Sequence, residues 1–292
     1  MKVLFVVNPV SGGVDKEPFL NEARKLCESF GLNYEIFKTS GESDAEKLKE
    51  RIHEFDPERI FSVGGDGTSR FTALTILDYN IPMGIIPQGS ANGMAKELNI
   101  PINPVDALKE HLISRVIKEM DMIKINDEHY CIHLADVGIN AQLVDNYEKD
   151  EGRGMLTYAK YFTKVLTESE SFDIEIDSDE ETKKVSGFMC AICNGRNYGT
   201  GIPLNLISDP FDGKFEISIY KSINAGHLIK AGLAKFNDRF LENINAEHIS
   251  AKKVNIKFSR PKLLQVDGEI IGKFESLKLE IVPSAIQLVS KN

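Results

Sequence analysis

Ile60-Phe-Ser-Val-Gly64-Gly-Asp-Gly-Thr68 decides how the first part of this chain is read. Ile60–Val63 is a short apolar run of the kind buried on both faces of a parallel sheet. It passes without a break into a loop in which three glycines flank one acid, more than a tight turn needs. Glycine lets a backbone approach a ligand closely, and a following helix N-terminus offers unpaired N–H groups to an anion. The same strand-to-loop pattern stands on either side: Val3–Val7 leads into Asn8-Pro-Val-Ser-Gly-Gly13, and Met83–Ile86 leads towards Gly89-Ser-Ala-Asn-Gly93. Between them, Phe19, Leu20, Ala23, Leu26, Cys27 and Phe30 recur at helical spacing, with Gly31 as a stop. Tyr34–Phe37 reads as a strand. Ser43-Asp-Ala-Glu46 reads as a capping box that opens a helix with Ala45, Leu48, Ile52 and Phe55 on one face. Strands alternating with helices predict a parallel sheet covered on both faces, whose ligands bind at the carboxyl ends of its strands. Three glycine loops at that edge, with the hydroxyls of Ser11, Thr68 and Ser90, read as a cradle for nucleotide phosphates. The chain has neither a Walker A loop nor a Gly-x-Gly-x-x-Gly, which weakens a dehydrogenase reading.

After about residue 120 the pattern changes. Met122, Ile123 and Ile125, then Tyr130, Ile132 and Leu134, predict two strands around an Asn126-Asp127-Glu128 turn. Further strands are expected over 183–194, 214–220, 253–258, 262–267 and 275–282, with helices over 155–166 and near 224–241. The second part is therefore a mainly antiparallel β domain. The expected division is 1–121 for the nucleotide-binding α/β domain and 122–283 for the β-rich one.

The 292 residues carry a formal net charge of −9, which argues against a nucleic-acid binder or a strongly basic membrane-clinging surface. Cys27, Cys131, Cys190 and Cys193 lack the spacing of a zinc site and read as buried, reduced thiols, which fits a cytoplasmic protein. The N-terminal apolar run stops at Asn8-Pro9, too short for a signal peptide, and no stretch reaches the length of a membrane-spanning helix. A lipid substrate would have to be reached from the water side.

Asn8-Pro-x-Ser-Gly-Gly13, Gly64-Gly-Asp-Gly-Thr68, Pro87-x-Gly-Ser-Ala-Asn92 and Val266-Asp-Gly-Glu269 occur in that order. Together they resemble the diacylglycerol kinase catalytic family, which includes sphingosine kinases and bacterial lipid kinases. The resemblance spans residues 3 to about 288 and implies a three-layer α/β domain that binds ATP and a C-terminal β-sandwich-like domain for the lipid. It also implies that 284–292 return to the first domain, that the protein works at a membrane surface as a peripheral enzyme, and that a homodimer is open to it.

By position, the resemblance assigns nucleotide binding to Asn8, Pro9, Val10, Ser11 and Gly12, to Thr39, to Gly64, Gly65, Asp66, Gly67, Thr68, Ser69 and Arg70, and to Ser90 and Asn92. Glu269 matches the acid that accepts the lipid hydroxyl's proton, and Asp66 an essential loop aspartate assigned as the base in some members. Read alone, Asp267-Gly-Glu269 is equally a hairpin turn. A Mg²⁺ ion is implied at Asp209-Pro-Phe-Asp212-Gly-Lys214, held by Asp212 and by the carbonyls of Asp209 and Lys214, with Asp121 linked through water. A second Mg²⁺ arrives with ATP. Gly89-Ser-Ala-Asn-Gly93 departs from the bacterial pattern towards long-chain-base kinases, and Asp136 in Leu134-Ala-Asp-Val137 matches the acid that holds an amino-alcohol head there. Diacylglycerol, a long-chain base and other lipid alcohols stay open as substrates. An NAD kinase and a non-catalytic nucleotide-binding regulator remain the alternatives.

Overall fold

The computed structural model describes residues 1–138, 141–142, 169–179, 181–198, 202–203, 207–222 and 246–291. The helices expected over 155–166 and near 224–241 lie outside the described residues. Two compact units emerge. The first comprises Met1–Met120 with the C-terminal segment from Ser284, and the second Asp121–Tyr198 with Ile202–Pro283. Asp121 thus falls with the second unit.

In the first unit, β1 (Lys2–Val7), β2 (Asn33–Lys38), β3 (Arg59–Gly64) and β4 (Met83–Pro87) form a parallel sheet in the order β4-β3-β1-β2. The end of the last strand of the chain joins it in parallel, with Leu288 opposite Met83. The Ser114 hydroxyl also donates to the Ser290 carbonyl there. β1, β3 and β4 are buried almost throughout, while the edge strand β2 is only half-buried, as a sheet covered on both faces requires. The helices pair off: α1 (Glu17–Ser29) packs with α5 (Pro104–Ile113), and α2 (Asp44–Phe55) with α3 (Asp66–Thr75). A short α4 (Gly93–Glu97) follows β4.

α1 buries Phe19, Leu20, Ala23 and Cys27, four of the six predicted positions; Leu26 is half-buried and Phe30 is exposed. Phe30 lies outside the stripe because the helix ends there. Gly31 at φ 62° turns the chain, and the amides of Gly31 and Leu32 reach back to the carbonyls of Glu28 and Cys27. The capping box at Ser43 does not form. Ser43 is left-handed at φ 51° and its side chain caps nothing. The Asp44 carboxylate instead braces the loop before the helix, accepting from the amides of Ser40 (2.9 and 3.0 Å) and Gly41 (2.8 Å) and from the Ser40 hydroxyl. A carboxylate is the stronger acceptor for those amides.

The second unit is a β sandwich. β5 (Val116–Ile125) and β6 (His129–Cys131) form the expected hairpin, with Asn126 and Asp127 both at positive φ. β7 (Leu134–Gly138), β8 (Phe172–Ser178), β9 (Thr182–Gly187) and β10 (Met189–Cys193) follow. A two-residue ladder, β11 (Asn197–Tyr198) with β12 (Ile202–Pro203), precedes β13 (Phe215–Tyr220), β14 (Ala246–Ala251), β15 (Lys253–Val266) and β16 (Glu269–Ser290).

Three sequence expectations are corrected. The run 183–194 is two strands broken at Phe188: β9 pairs β8, whereas β10 pairs β7 and β13. The pieces 253–258 and 262–267 are one strand, with a register shift between Lys257 and Lys262. The strand expected over 275–282 runs from Glu269 to Ser290. The shift lets one ribbon serve both layers, because a bulge bends the strand that carries it. The first part of β15 pairs β8, and its last part, Leu264–Val266, pairs β7. Val137, Ile192, Ile217 and Leu264 from one layer meet Ile123, Ile174, Ile256 and Leu277 from the other in a single core. Cys131 and Cys190 lie in this core and Cys27 in the first unit's; all four cysteines are free, and burial pushes the Cys27 thiol up to about 11.

His111 of α5 is buried against Phe61 (ring centroids 6.2 Å apart), with Nε2 3.0 Å from the Ile85 carbonyl. Burial pushes its pKa below the ordinary value, with the Ile85 carbonyl opposing. The unfolded chain therefore takes up a proton at a pH where the folded one refuses it, so His111 contributes stability above about pH 6.5 that is lost as the pH falls towards the folded value. Thermal melts at about pH 7.5 and about pH 5.5 should show a smaller pH-dependent drop in Tm for His111→Gln than for the unaltered chain.

Candidate functional site

The loops after β1, β3 and β4 meet through glycine backbones. A Cβ on Gly89 would collide with the Gly65 backbone, one on Gly65 would lie 3.1 Å from Gly89 Cα, and one on Gly12 would lie 2.8 Å from the Gln88 carbonyl. Those three glycines pack the loops together. Gly13 and Gly67 differ, since nothing stands within 4 Å of the Cβ either would carry.

Charged side chains then fix the loops by bonding backbone. The Asp66 carboxylate accepts from the amides of Gly93 and Met94, both at 2.9 Å, which ties the second loop to the start of α4. Lys16 is 3% exposed, and its ammonium donates to the carbonyls of Ser11 (2.5 Å), Val14 (2.9 Å) and Gln88 (3.0 Å), tying the first loop to the third. The sequence reading passed over Lys16, because a lone lysine in a loop carries no pattern. Asn8 Oδ1 accepts from the Val10 amide, and Asn92 closes its own loop by bonding both the amide and the carbonyl of Gly89.

A cavity of about 380 Å³ opens beside these loops, lined by Asn8, Pro9, Val10, Thr39, Ser40, Gly41, Asp44, Gly67, Thr68 and Phe71. Six of the predicted nucleotide residues thus gather around one space. Ser11, Gly12, Ser90 and Asn92 do not line it; the first two stand on the seam with the third loop, and Ser90 is exposed. Gly64 and Ser69 lie behind the second loop, where a Cβ on Gly64 would strike Thr68 and Ser69 meets Ser62. Gly65, Asp66 and Arg70 sit at the start of α3, where the amides of Thr68 and Ser69 donate to the Gly65 carbonyl and those of Asp66 and Gly67 have no carbonyl four residues back within the helix. Those N–H groups, the positive end of the helix dipole and the open side of Gly67 are suited to an anion.

In the second unit, Asp267 and Gly268 form the turn between β15 and β16, both at positive φ. The Asp267 carboxylate accepts from the amides of Ile132 (2.9 Å), His133 (2.9 Å) and Leu134 (3.1 Å). Sequence reading missed this, having treated Asp267 only as part of a motif. Glu269 is the next exposed acid along the strand. Asp136 is wholly buried, with its oxygens accepting from the Ala141 amide (2.8 Å) and the Gln265 side chain (2.6 Å).

Asp121 comes together with the Asp209–Lys214 turn. Its amide donates to the Pro210 carbonyl (2.8 Å) and its carboxylate accepts from the Gly213 amide (2.7 Å). Asp209 and Asp212 are exposed and bond the amides of Phe211 and Lys214. Among the described residues no cluster of three acid, histidine or cysteine side chains could hold a metal ion. The exposed carboxylates and carbonyls of the turn are hard oxygen donors, of the kind a hydrated cation takes. Behind it, Asn194 donates to the Asp121 and Ile132 carbonyls, while its buried Oδ1 has no hydrogen-bond partner among the described residues, an acceptor suited to a bound water.

Fold and loops define a class: an α/β unit with three glycine loops at one sheet edge, followed by a β sandwich. Residues 2–125 match the diacylglycerol kinase catalytic domain, and residues 135–290 match the YegS C-terminal NAD kinase beta sandwich-like domain. The chain belongs to the diacylglycerol kinase catalytic family. A "Putative lipid kinase" of Staphylococcus aureus (strain MSSA476) is 30% identical over 258 residues, covering 85% of this chain and 82% of the relative. One of Staphylococcus epidermidis (strain ATCC 12228) is 28% identical over 273 residues, covering 91% and 87%. A crystal structure described as a putative diacylglycerol kinase from Bacillus anthracis shares the fold, with TM-score 0.79, 22% identity, and coverage of 99% of this chain and 95% of that one.

The glycines separate by their surroundings. Gly89→Ala should lower stability by about 1–3 kcal/mol, since the new methyl group meets backbone that cannot give way. Gly67→Ala should leave stability within about 1 kcal/mol or raise it. Chemical denaturation of the two variants checks both.

Proposed function

We propose that the protein transfers the γ-phosphoryl group of ATP to the hydroxyl of a membrane lipid. The observation that carries this reading is the cavity at the head of α3, which gathers Asn8, Thr39, Gly67 and Thr68 at the helix N-terminus. Kinase-family membership and relatives named as lipid kinases support it.

In this reading α3 and Gly67 receive the phosphates, while Asn8 and Thr39 bound the nucleotide. Asp66 holds the second loop against α4 through the Gly93 and Met94 amides, so that its carboxylate sits fixed beside the phosphates. The lipid oxygen attacks the γ-phosphorus, the bond to the β,γ-bridging oxygen breaks, and ADP leaves with that electron pair. Glu269 takes the hydroxyl's proton. Such a transfer needs little covalent help, so positioning and charge neutralisation dominate, and Mg²⁺ supplies the latter when bound. Asp212 and the carbonyls of Asp209 and Lys214 would hold a structural Mg²⁺.

Asp136 is wholly buried and bonded to Ala141 and Gln265, which favours a neutral glycerolipid over an ammonium-bearing base as the acceptor. No helix among the described residues is long and apolar enough to cross a membrane, and the proposed mode is peripheral contact with the lipid surface.

Labelled ATP with mixed micelles of diacylglycerol, monoacylglycerol, ceramide or sphinganine tests the reading. Label on a glycerolipid is expected. Label on sphinganine would return Asp136 to the head-group role, and label on NAD instead would make the chain an NAD kinase.

Glu269 is exposed, so Glu269→Gln should leave the melting curve unchanged while lowering transfer by about 100-fold or more. Chelation should lower the Tm of the unaltered chain and leave that of Asp212→Ala unmoved if the turn holds a cation.

A further inference from the structure

Lys16 is 3% exposed, yet it carries a charge that long side chains normally keep in water. Its three hydrogen bonds all go to main-chain carbonyls, of Ser11 and Val14 in the first loop and of Gln88 in the third. The backbone of Lys16 opens α1, where its carbonyl accepts from the Leu20 amide (2.9 Å). One residue therefore joins a helix start and two loops at the edge of the sheet. No other described side chain bonds the carbonyls of both loops except Ser11, whose hydroxyl lies 3.2 Å from the Asn8 carbonyl and 3.4 Å from that of Gln88, a weaker contact.

We propose that Lys16 is the positioning residue of the phosphate edge, clamping the first loop to the third and holding one positive charge behind both. This rests on the reading of that edge as the ATP site. The geometry leaves Lys16 no role as a phosphate ligand: its donors are taken by three carbonyls, and it does not line the cavity that Asn8 and Val10 share with Gly67. It acts through them. The clamp sets where Asn8 and Val10 stand, and its charge is felt by an anion in the cavity because little water lies around it. Burial pushes the ammonium below the usual lysine range, with Asp15 opposing, as expected of a charge held by dipoles rather than by a carboxylate.

The test uses the full-length chain, Lys16→Met, which keeps length and removes the donors, and Lys16→Gln, which keeps a donor without charge. A fluorescent ATP analogue is titrated into each, and binding is expressed per folded molecule from the melting curve. Deuterium uptake is followed over residues 11–14 and 88–93 without nucleotide. Hydrogen bonds to a charged group predict affinity at least about tenfold weaker for Lys16→Met, with Lys16→Gln between it and the unaltered chain. Uptake should rise in both loops, and KM should rise for ATP and not for lipid. If Lys16→Met does not fold, Lys16→Gln carries the same test. Equal affinity and equal uptake in a folded variant would overturn the clamp and leave the kinase reading intact. An unaltered chain that binds no nucleotide would overturn the kinase reading, and the clamp's role in it.

Discussion

Charged side chains bonded to main-chain groups hold the working edge of the first unit together. Loops at the carboxyl ends of parallel strands leave amides and carbonyls that the sheet cannot pair. Asp66 takes two amides at the start of α4, and Lys16 takes three carbonyls in the loops on either side. Each hydrogen bond to a charge contributes about 1.5–3 kcal/mol, against about 1 kcal/mol for a neutral one. That difference is what keeps glycine-rich backbone, entropically costly to order, in one arrangement. Gly12, Gly65 and Gly89 let the three loops meet, since backbones can touch only where no side chain intervenes.

The second unit uses the same device at its β-hairpin. Two residues at positive φ close the turn between β15 and β16, and the Asp267 carboxylate collects three successive amides from 132–134. Gln265, wholly buried, bonds Asp136 on one side and the Gly268 amide on the other. Glu269 therefore leaves a turn braced on both sides. In the proposed reading that mount matters, because small displacements of a catalytic group cost large factors in rate.

Much of this was legible. The alternation of apolar runs with glycine loops gave the parallel sheet, because strands buried on both faces cannot alternate in polarity. The hairpin at Asn126-Asp127 declared itself through residues that tolerate positive φ. The sequence misled where local detail decided. Ser43 takes a left-handed backbone and caps nothing, while Asp44 bonds the loop before it, and the bulged β15 looked like two strands because Pro261 and the charges around it interrupt its pattern. Lys16 and Asp267 were invisible for a further reason: their partners are main-chain groups, which leave no residue type to read.

The cavity at α3 also says in what form an anion would have to arrive. Its lining includes the Asp44 carboxylate and, among the described residues, no lysine or arginine. The helix end supplies about half an elementary charge, and the Lys16 ammonium lies behind the loop rather than in the cavity. Lys47, which donates to the Ser40 hydroxyl beside Asp44, offsets that acid, so a triphosphate entering alone would set several negative charges against little more than the helix end and the Lys16 charge behind the loop. At a partly screened surface, unlike and like pairs about 4 Å apart are each worth about 4 kcal/mol, so these few protein charges do not balance the phosphates. A divalent cation carried in with the nucleotide would remove most of that deficit. In the proposed reading, the nucleotide therefore arrives as its metal complex rather than free.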